Sequence, residues 1–242
     1  MSSPLVSPTI VRLGVRSIFG RWRGILLIVL PVVLLGISVL VRALVGQDVD
    51  PAQGTLYGLG LVVIVPLVAL LATSGLLAPE IDDGSISYLL AKPISRHTIV
   101  ASKLVVSFAC VLVFGALPML AAGLVLLPGS PSFAVGFGLA SLVGGAAYCA
   151  VFALLSVLTR HAVVIGLIYL LVWEGLLGGL LDGVRWLSIT RWSAELVDRV
   201  AGLELVDDLP LAYAVIAIAI VIAAGAWRTG WQLRGFNLTG DE

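Results

Sequence analysis

The stretch Pro79-Glu80-Ile81-Asp82-Asp83-Gly84-Ser85-Ile86-Ser87-Tyr88-Leu89-Leu90-Ala91-Lys92-Pro93-Ile94-Ser95-Arg96 stands between two apolar runs of membrane length. The run before it ends near Ala78, and the next begins near Ile99. Its own punctuation is helical. Pro79 suits a first helical turn, where a missing N–H costs nothing. Glu80, Asp82 and Asp83 fall at the positive end of the helix dipole and Lys92 near the negative end. Pro93 disfavours helical geometry at Lys92 and ends the run. The spacing predicts a helix over residues 80–91, about 18 Å long at about 1.5 Å per residue. Ile81, Ile86, Tyr88 and Leu89 supply its apolar contacts. Charge placement alone makes it a capped connector between spans; a helix that docks a partner is the sharper reading, and both stand.

Working outward, the apolar character is general. The chain has 242 residues, 60% hydrophobic and 12% charged, with a mean hydropathy of +1.14. A soluble domain is about 45–50% apolar and about 25% charged. Apolar runs near or above about 20 residues mark transmembrane helices. The expected fold is therefore all-α and polytopic, a single membrane domain over residues 1–242, since no stretch between spans is long enough to bury its own core. Six spans are expected, at about 24–45, 56–78, 99–127, 133–158, 162–181 and 211–227. Pro31, Pro66 and Pro118 lie inside three of them, where neighbouring helices absorb a proline. Arg42, near the end of the first, reads as snorkelling outward. Cys110 and Cys149 fall within apolar runs and read as small buried hydrophobes.

Before the first span, Val11, Val15, Ile18 and Trp22 recur on one helical face, with Arg12, Arg16 and Arg23 on a neighbouring one. That pattern fits a helix lying in the membrane interface, and equally a basic flank that orients the first span. Residues 182–210 alternate polar and apolar character. Trp186 and Trp192 suit an interface, and Ser193-Ala194-Glu195-Leu196 opens a plausible helix. An ordinary loop with interfacial tryptophans is the alternative.

Charge counting orients the chain. With both ends inside, the inner segments hold Arg12, Arg16, Arg21, Arg23, Lys92, Arg96, Lys103, Arg160, Arg228 and Arg234. The outer side holds Arg42, Arg185, Arg191 and Arg199. The positive-inside rule expects such a bias. It places residues 80–96 in the cytoplasm and 182–210 outside, in a multi-pass plasma-membrane protein with both termini cytoplasmic.

Few residues offer chemistry. The only lysines, Lys92 and Lys103, follow Ala91 and Ser102, so the Gly-Lys of a P-loop is missing and ATP work falls to a partner. His97 and His161 stand alone, neither with a ligand four residues on, so no metal site is expected. Ala72-Thr73-Ser74-Gly75 loosely resembles the Gly-x-Ser-Gly of rhomboid proteases, but no mid-membrane histidine can serve as base. Glu174 is the one acid within an apolar span. Intramembrane acids are costly and point to function by default. It faces a translocation path or outer gate in one reading. In the other it reaches the wet boundary beside Trp173 or pairs with Arg185. The small-residue pairs Ala140/Gly144, Ser141/Gly145 and Gly179/Gly183 permit close helix contacts within or between subunits.

The opening stretch also resembles a family signature. Permease subunits of type-2 ATP-binding-cassette (ABC) transporters carry an acid, a Gly with a small hydroxyl residue, an apolar pair and Pro-apolar-Ser-Arg between their second and third spans. Glu80, Gly84-Ser85, Leu89-Leu90 and Pro93-Ile94-Ser95-Arg96 stand in those places. Asp83 stands where Ser often precedes the Gly. The resemblance implies that Glu80, Asp83, Gly84, Ile86, Tyr88, Leu89, Lys92, Pro93 and Arg96 form a coupling surface against a cytoplasmic ABC ATPase dimer. It implies a second permease chain, identical or paralogous, and export as the default direction. The chain itself would be non-catalytic and carry no cofactor, with ATP and Mg on the ATPase; the bilayer is its other partner, and nucleic acid is not one. An ion-gradient-driven transporter and a non-transporting assembly subunit are the competing classes.

Overall fold

The computed structural model describes residues 22–82, 96–159, 161–177, 186–206 and 209–232. All regular structure among them is helical. Helix α1 is Trp22–Val45, with Pro31 inside. Helix α2 runs without a break over residues 49–82: an α-helical start Val49–Gly54, a wide π-helical stretch Thr55–Ile64, then Val65–Asp82. Helix α3 is built the same way, from Arg96–Val111, the π-helical Leu112–Ala116 and Leu117–Leu126. Helix α4 is Pro131–Leu158. Helix α5 joins Ala162–Ile168 to the π-helical Tyr169–Leu177. Helices α6 and α7 are Ile189–Ala201 and Leu211–Gln232.

Five of these helices are long and apolar enough to cross a bilayer. The described apolar part of α5, Ala162–Leu176, falls short of the roughly 20 residues a hydrocarbon core demands. The rest of the fifth expected span, residues 178–181, lies outside the described residues, as do the pair Gly179/Gly183 and the interfacial Arg12 and Arg16. Trp22 and Arg23 begin α1.

Local chemistry sets the ends. Gly46 takes a left-handed conformation, φ 82°, and its N–H returns to the Arg42 carbonyl at 3.0 Å, closing α1. Asp48 accepts from the Asp50 N–H at 3.4 Å and opens α2. Most of the stretch between the first two expected spans is therefore helix. Pro131 sits in the first turn of α4. Pro79 does not open a helix: α2 continues through it to Asp82, so the first residues of the helix expected over 80–91 belong to the end of the preceding span. A proline costs an existing helix one hydrogen bond and a ring clash with the carbonyl four residues back, but a helix already nucleated upstream avoids the cost of starting again. The remainder of that expected helix, with Asp83, Gly84, Ile86, Tyr88, Leu89, Lys92 and Pro93, lies outside the described residues. Arg96 is the first residue of α3. At the other end of the chain, α7 runs five residues past the expected Trp227, with the Arg228 guanidinium 5.2 Å from the Trp231 ring centre.

Helix α4 is the axis of the bundle: α2, α3, α5, α6 and α7 all pack on it. Its inner faces are made of small residues, among them Ala140, Ser141, Gly144, Gly145 and Ala147, all buried. Small side chains let backbones approach. Gly144 abuts Ser193 of α6, and Gly145 abuts Val111 of α3, so both small-residue pairs described on α4 serve packing within the chain. Helix α1 lies at the edge, mainly along Leu117–Leu126. It buries Leu27 and Leu34 and exposes Ile25, Val32, Leu40 and Leu44. Arg42 does not simply reach outward: its Nη1 donates to the Leu126 carbonyl at 2.8 Å, a cation at the last turn of α3. Cys110 and Cys149 are buried free thiols.

Candidate functional site at the α6 end

The end of α5 carries Glu174, and the whole site grows from how that carboxylate is satisfied. Glu174 is 8% exposed. The Ser188 hydroxyl donates to its Oε2 at 2.5 Å. The Ile189 N–H donates to Oε1 at 3.0 Å, and the Thr190 N–H to Oε2 at 3.4 Å. The Tyr169 hydroxyl approaches Oε1 at 3.4 Å. A helix start leaves its first N–H groups without internal partners. Here an acid from another helix meets them, at the positive end of the α6 dipole. Ser188 also caps locally, its Oγ accepting from the Arg191 N–H at 3.3 Å.

This corrects two expectations. Glu174 is not at a wet boundary; it is buried against α6, and Arg185 lies outside the described residues. Helix α6 opens at Ile189, four residues before the expected Ser193. Its true cap, Ser188, is backed by a residue fourteen positions earlier, which no local pattern announces.

A second tie comes from α4. The Tyr148 and Thr190 hydroxyls lie 2.8 Å apart, both buried. Tyr148 stacks on Phe152 with ring centres 5.9 Å apart, Phe152 meets Tyr169 edge-on at 6.2 Å, and Tyr169 stacks on Trp173 at 6.5 Å. This row of rings walls the carboxylate on the α4 and α5 side. Tyr148→Phe and Thr190→Val, taken singly and together, are expected to show a coupling of about 0.5–1.5 kcal/mol in a thermodynamic cycle on the purified chain. Strict additivity would mean that the bond contributes nothing.

The turn before α6 gathers the tryptophans. Trp192 is buried, and its Nε1 donates to the Trp186 carbonyl at 2.9 Å. The Tyr213 hydroxyl donates to the same oxygen at 2.9 Å, and the Tyr213 ring meets Trp186 edge-on at 5.4 Å. Trp186 itself is 42% exposed. Trp173 Nε1 reaches the Leu187 carbonyl at 3.4 Å. Glu174, Trp186 and Trp192, named from sequence as separate candidates, thus meet around one helix start.

The far end of α6 is tied as firmly. Asp198 accepts from the N–H groups of Leu205 and Val206 at 2.9 and 3.0 Å. Burial pushes its carboxyl up from the usual range, and these two bonds pull the other way. Gly202, with φ 68°, ends the helix, its N–H on the Asp198 carbonyl at 2.9 Å. Sequence reasoning missed Ser188, Tyr148, Thr190 and Asp198. Ser188 immediately before an amphipathic run was the one legible signal.

A chain of long apolar helices, with a short amphipathic helix held between the fifth and last, now has a family. The model described as ABC-2 family transporter protein matches residues 36–229. The chain belongs to this family. No curated protein matches it. The match runs from the middle of α1 to near the end of α7, so residues 80–96, Glu174, Trp186 and Trp192 all fall within it. Membership makes this ABC-2 chain a membrane permease, the non-catalytic component of an ABC transporter, and implies a partnership with an ATP-binding-cassette ATPase and the membrane. Among the described residues no cluster of His, Cys, Asp and Glu could hold a metal ion.

Proposed function

We propose that this chain is the permease subunit of an ABC exporter of the plasma membrane. Two such chains, identical or paralogous, form the path, and an ATPase dimer carrying ATP and Mg binds their cytoplasmic side. The observation that carries the reading is a family match spanning nearly the whole bundle, with the Glu80, Gly84-Ser85 and Pro93-Ile94-Ser95-Arg96 signature inside it. The excess of basic residues on the side of residues 80–96 supports placing that side in the cytoplasm.

Coupling requires that the ATPase bind two permease states with different affinity. Glu80, Asp83, Gly84, Ile86, Tyr88, Leu89, Lys92, Pro93 and Arg96 supply the surface that feels the ATPase close. The α6 end then lies outside, where Glu174, Trp186 and Trp192 hold the helix that covers the path. An ion-gradient mechanism needs an internal acid free to exchange its ion. Glu174, with both oxygens accepting from α6, speaks for a structural anchor instead. The spans are mostly Leu, Val, Ala and Gly, which suits apolar or amphipathic cargo.

The test is purification from native membranes in mild detergent. A stoichiometric ATPase is expected with the wild-type chain and is lost with Glu80→Lys or Ile86→Pro in chains that stay folded. ATP-driven transport falls to background in the same variants. Intact ATPase binding and transport in both would end the coupling assignment.

A further inference from the structure

Helix α2 changes character at a proline. Its first half, residues 49–64, holds ten consecutive residues in π geometry, Thr55–Ile64, where a single turn is the usual extent. Its second half is regular α-helix from Val65, with Pro66 in the first turn. The Val65 N–H donates to the Gly60 carbonyl, five residues back, so the wide turn closes just ahead of the proline. In a regular helix the ring of Pro66 would strike the Val62 carbonyl; a wider turn gives it room. Helix α3 repeats the device. Its π stretch Leu112–Ala116 ends with the Leu117 N–H on the Leu112 carbonyl, immediately before Pro118. A proline alone does not impose this, since α1 stays α-helical through Pro31.

The two halves of α2 are also held differently. Val65–Asp82 packs along α4, where Val65 and Val111 bear together on Gly145, whose added Cβ would lie 3.4 Å from Val65 Cγ1. The contacts of Thr55–Ile64 are thin and divided among α1, α4, α6 and Leu117–Leu126. Gly54 and Gly58 are exposed, and a Cβ at either would meet nothing within 4 Å. The closest approach in this half is Gly60 on Met119, the residue after Pro118, and it meets the flexible Sδ–Cε end of that side chain. A span in lipid cannot bend by leaving backbone groups unbonded. Trading a π turn for an α turn avoids that. Each N–H exchanges the carbonyl five back for the one four back, and the helix ahead of the turn rotates by about 100° for each residue of offset removed. We propose that residues 49–64 form an arm that rotates about the junction at Val65-Pro66, with Met119 as its socket and the firmly packed half of α2 as its base. The rotation changes the face that α2 presents to α6, the helix anchored by Glu174. The arm goes beyond the transport reading, and its test needs neither ATPase nor cargo.

The experiment is pulsed dipolar EPR on the purified full chain in lipid nanodiscs, with Cys110 and Cys149 replaced by alanine. Nitroxide labels at Gly54→Cys and Ile216→Cys report on the arm, and labels at Leu124→Cys and Ile216→Cys, on α3 and α7, form the reference pair; all three positions are exposed. The arm pair is expected to show two distances and the reference pair one. Pro66→Ala returns an N–H to the Val62 carbonyl and collapses the arm pair to a single distance. That distance lies about 4 Å or more from the main one seen with Pro66 in place, since a turn of about 100° carries a label around a helix about 10–12 Å across. Pro31→Ala leaves both pairs unchanged. Should Pro66→Ala fail to fold, Met119→Leu stiffens the socket at nearly constant volume, and the arm pair is expected to narrow to one of its two distances. An arm-pair distance as narrow as the reference, and unmoved by Pro66→Ala or Met119→Leu, overturns the proposal. So does a shift of equal size in the reference pair on Pro66→Ala, which would place the change in the whole bundle and not in the arm.

Discussion

Replacing Glu174 with alanine is expected to lower the stability of the purified chain by about 2–4 kcal/mol. The change removes one carboxylate but strands several donors. The Ser188 hydroxyl and the Ile189 and Thr190 N–H groups all point at the space it vacates, and all three residues are buried. A buried donor without an acceptor loses its solvation and gains nothing in return. Glu174→Gln keeps one acceptor oxygen and presents an NH2 to the remaining donors, so it recovers only a small part. Ser188→Ala, which removes the local cap while leaving the carboxylate on the two amides, costs about 1 kcal/mol. The informative readout is amide exchange at residues 189–191 beside the unfolding midpoint. Glu174→Ala should release these amides before the spans loosen. Unchanged exchange and an unchanged midpoint would show that α6 is held by something other than this carboxylate.

The second large effect is steric. A Cβ on Gly123 would lie 2.7 Å from Ala134 Cα and 2.9 Å from its Cβ. Both atoms belong to the neighbouring helix's backbone or to its shortest side chain, so no rotamer change relieves the overlap. Gly123→Leu must push α3 and α4 apart near their shared turn, at an expected cost of about 1–3 kcal/mol. That displacement also strains the Arg42 bond to the Leu126 carbonyl, three residues on. Gly36→Ala is the matched control: its Cβ meets nothing within 4 Å, and alanine is the better helix former. Thermal unfolding in detergent followed by tryptophan fluorescence separates the two. Equal midpoints for Gly123→Leu and wild type would mean that the helices do not touch there.

What could be read from the sequence follows the physics of the solvent. A bilayer imposes a minimum apolar length, so the helices at 22–45, 100–126, 131–158 and 211–232 announce themselves as long runs. The same solvent erases the information about which face turns inward. Leu27 and Leu34 are buried while Ile28 and Val29, equally apolar, are exposed, because lipid and protein core accept the same side chains. Boundaries were least legible where the deciding partner is distant. The start of α6 depends on Glu174, and the end of α3 draws on Arg42, eighty-four residues earlier. Pro79 misled for the opposite reason: its local preference for a first turn gives way to a helix that already exists upstream. Of the site, the tryptophans and Glu174 were legible because such residues are rare in apolar runs. Tyr148 and Thr190 were not, since lone hydroxyls are commonplace; Ser188 was legible only as a cap before an amphipathic run, not as a partner of Glu174.

The position of α4 in the chain bears on how the protein is made. Among the described helices it is the fourth to leave the ribosome, and three of the five packed on it come later: α5, and last of all α6 and α7. Until they arrive, Tyr148 has no Thr190, Gly144 has no Ser193, and Glu174 waits in the bilayer without the amides of residues 189 and 190. A nascent chain stopped before residue 189 therefore carries an unsatisfied acid and an open seam of small residues, both of which are absent once α6 and α7 have been added. Addition of α6 and α7, rather than insertion of the span that carries Glu174, is what removes both features.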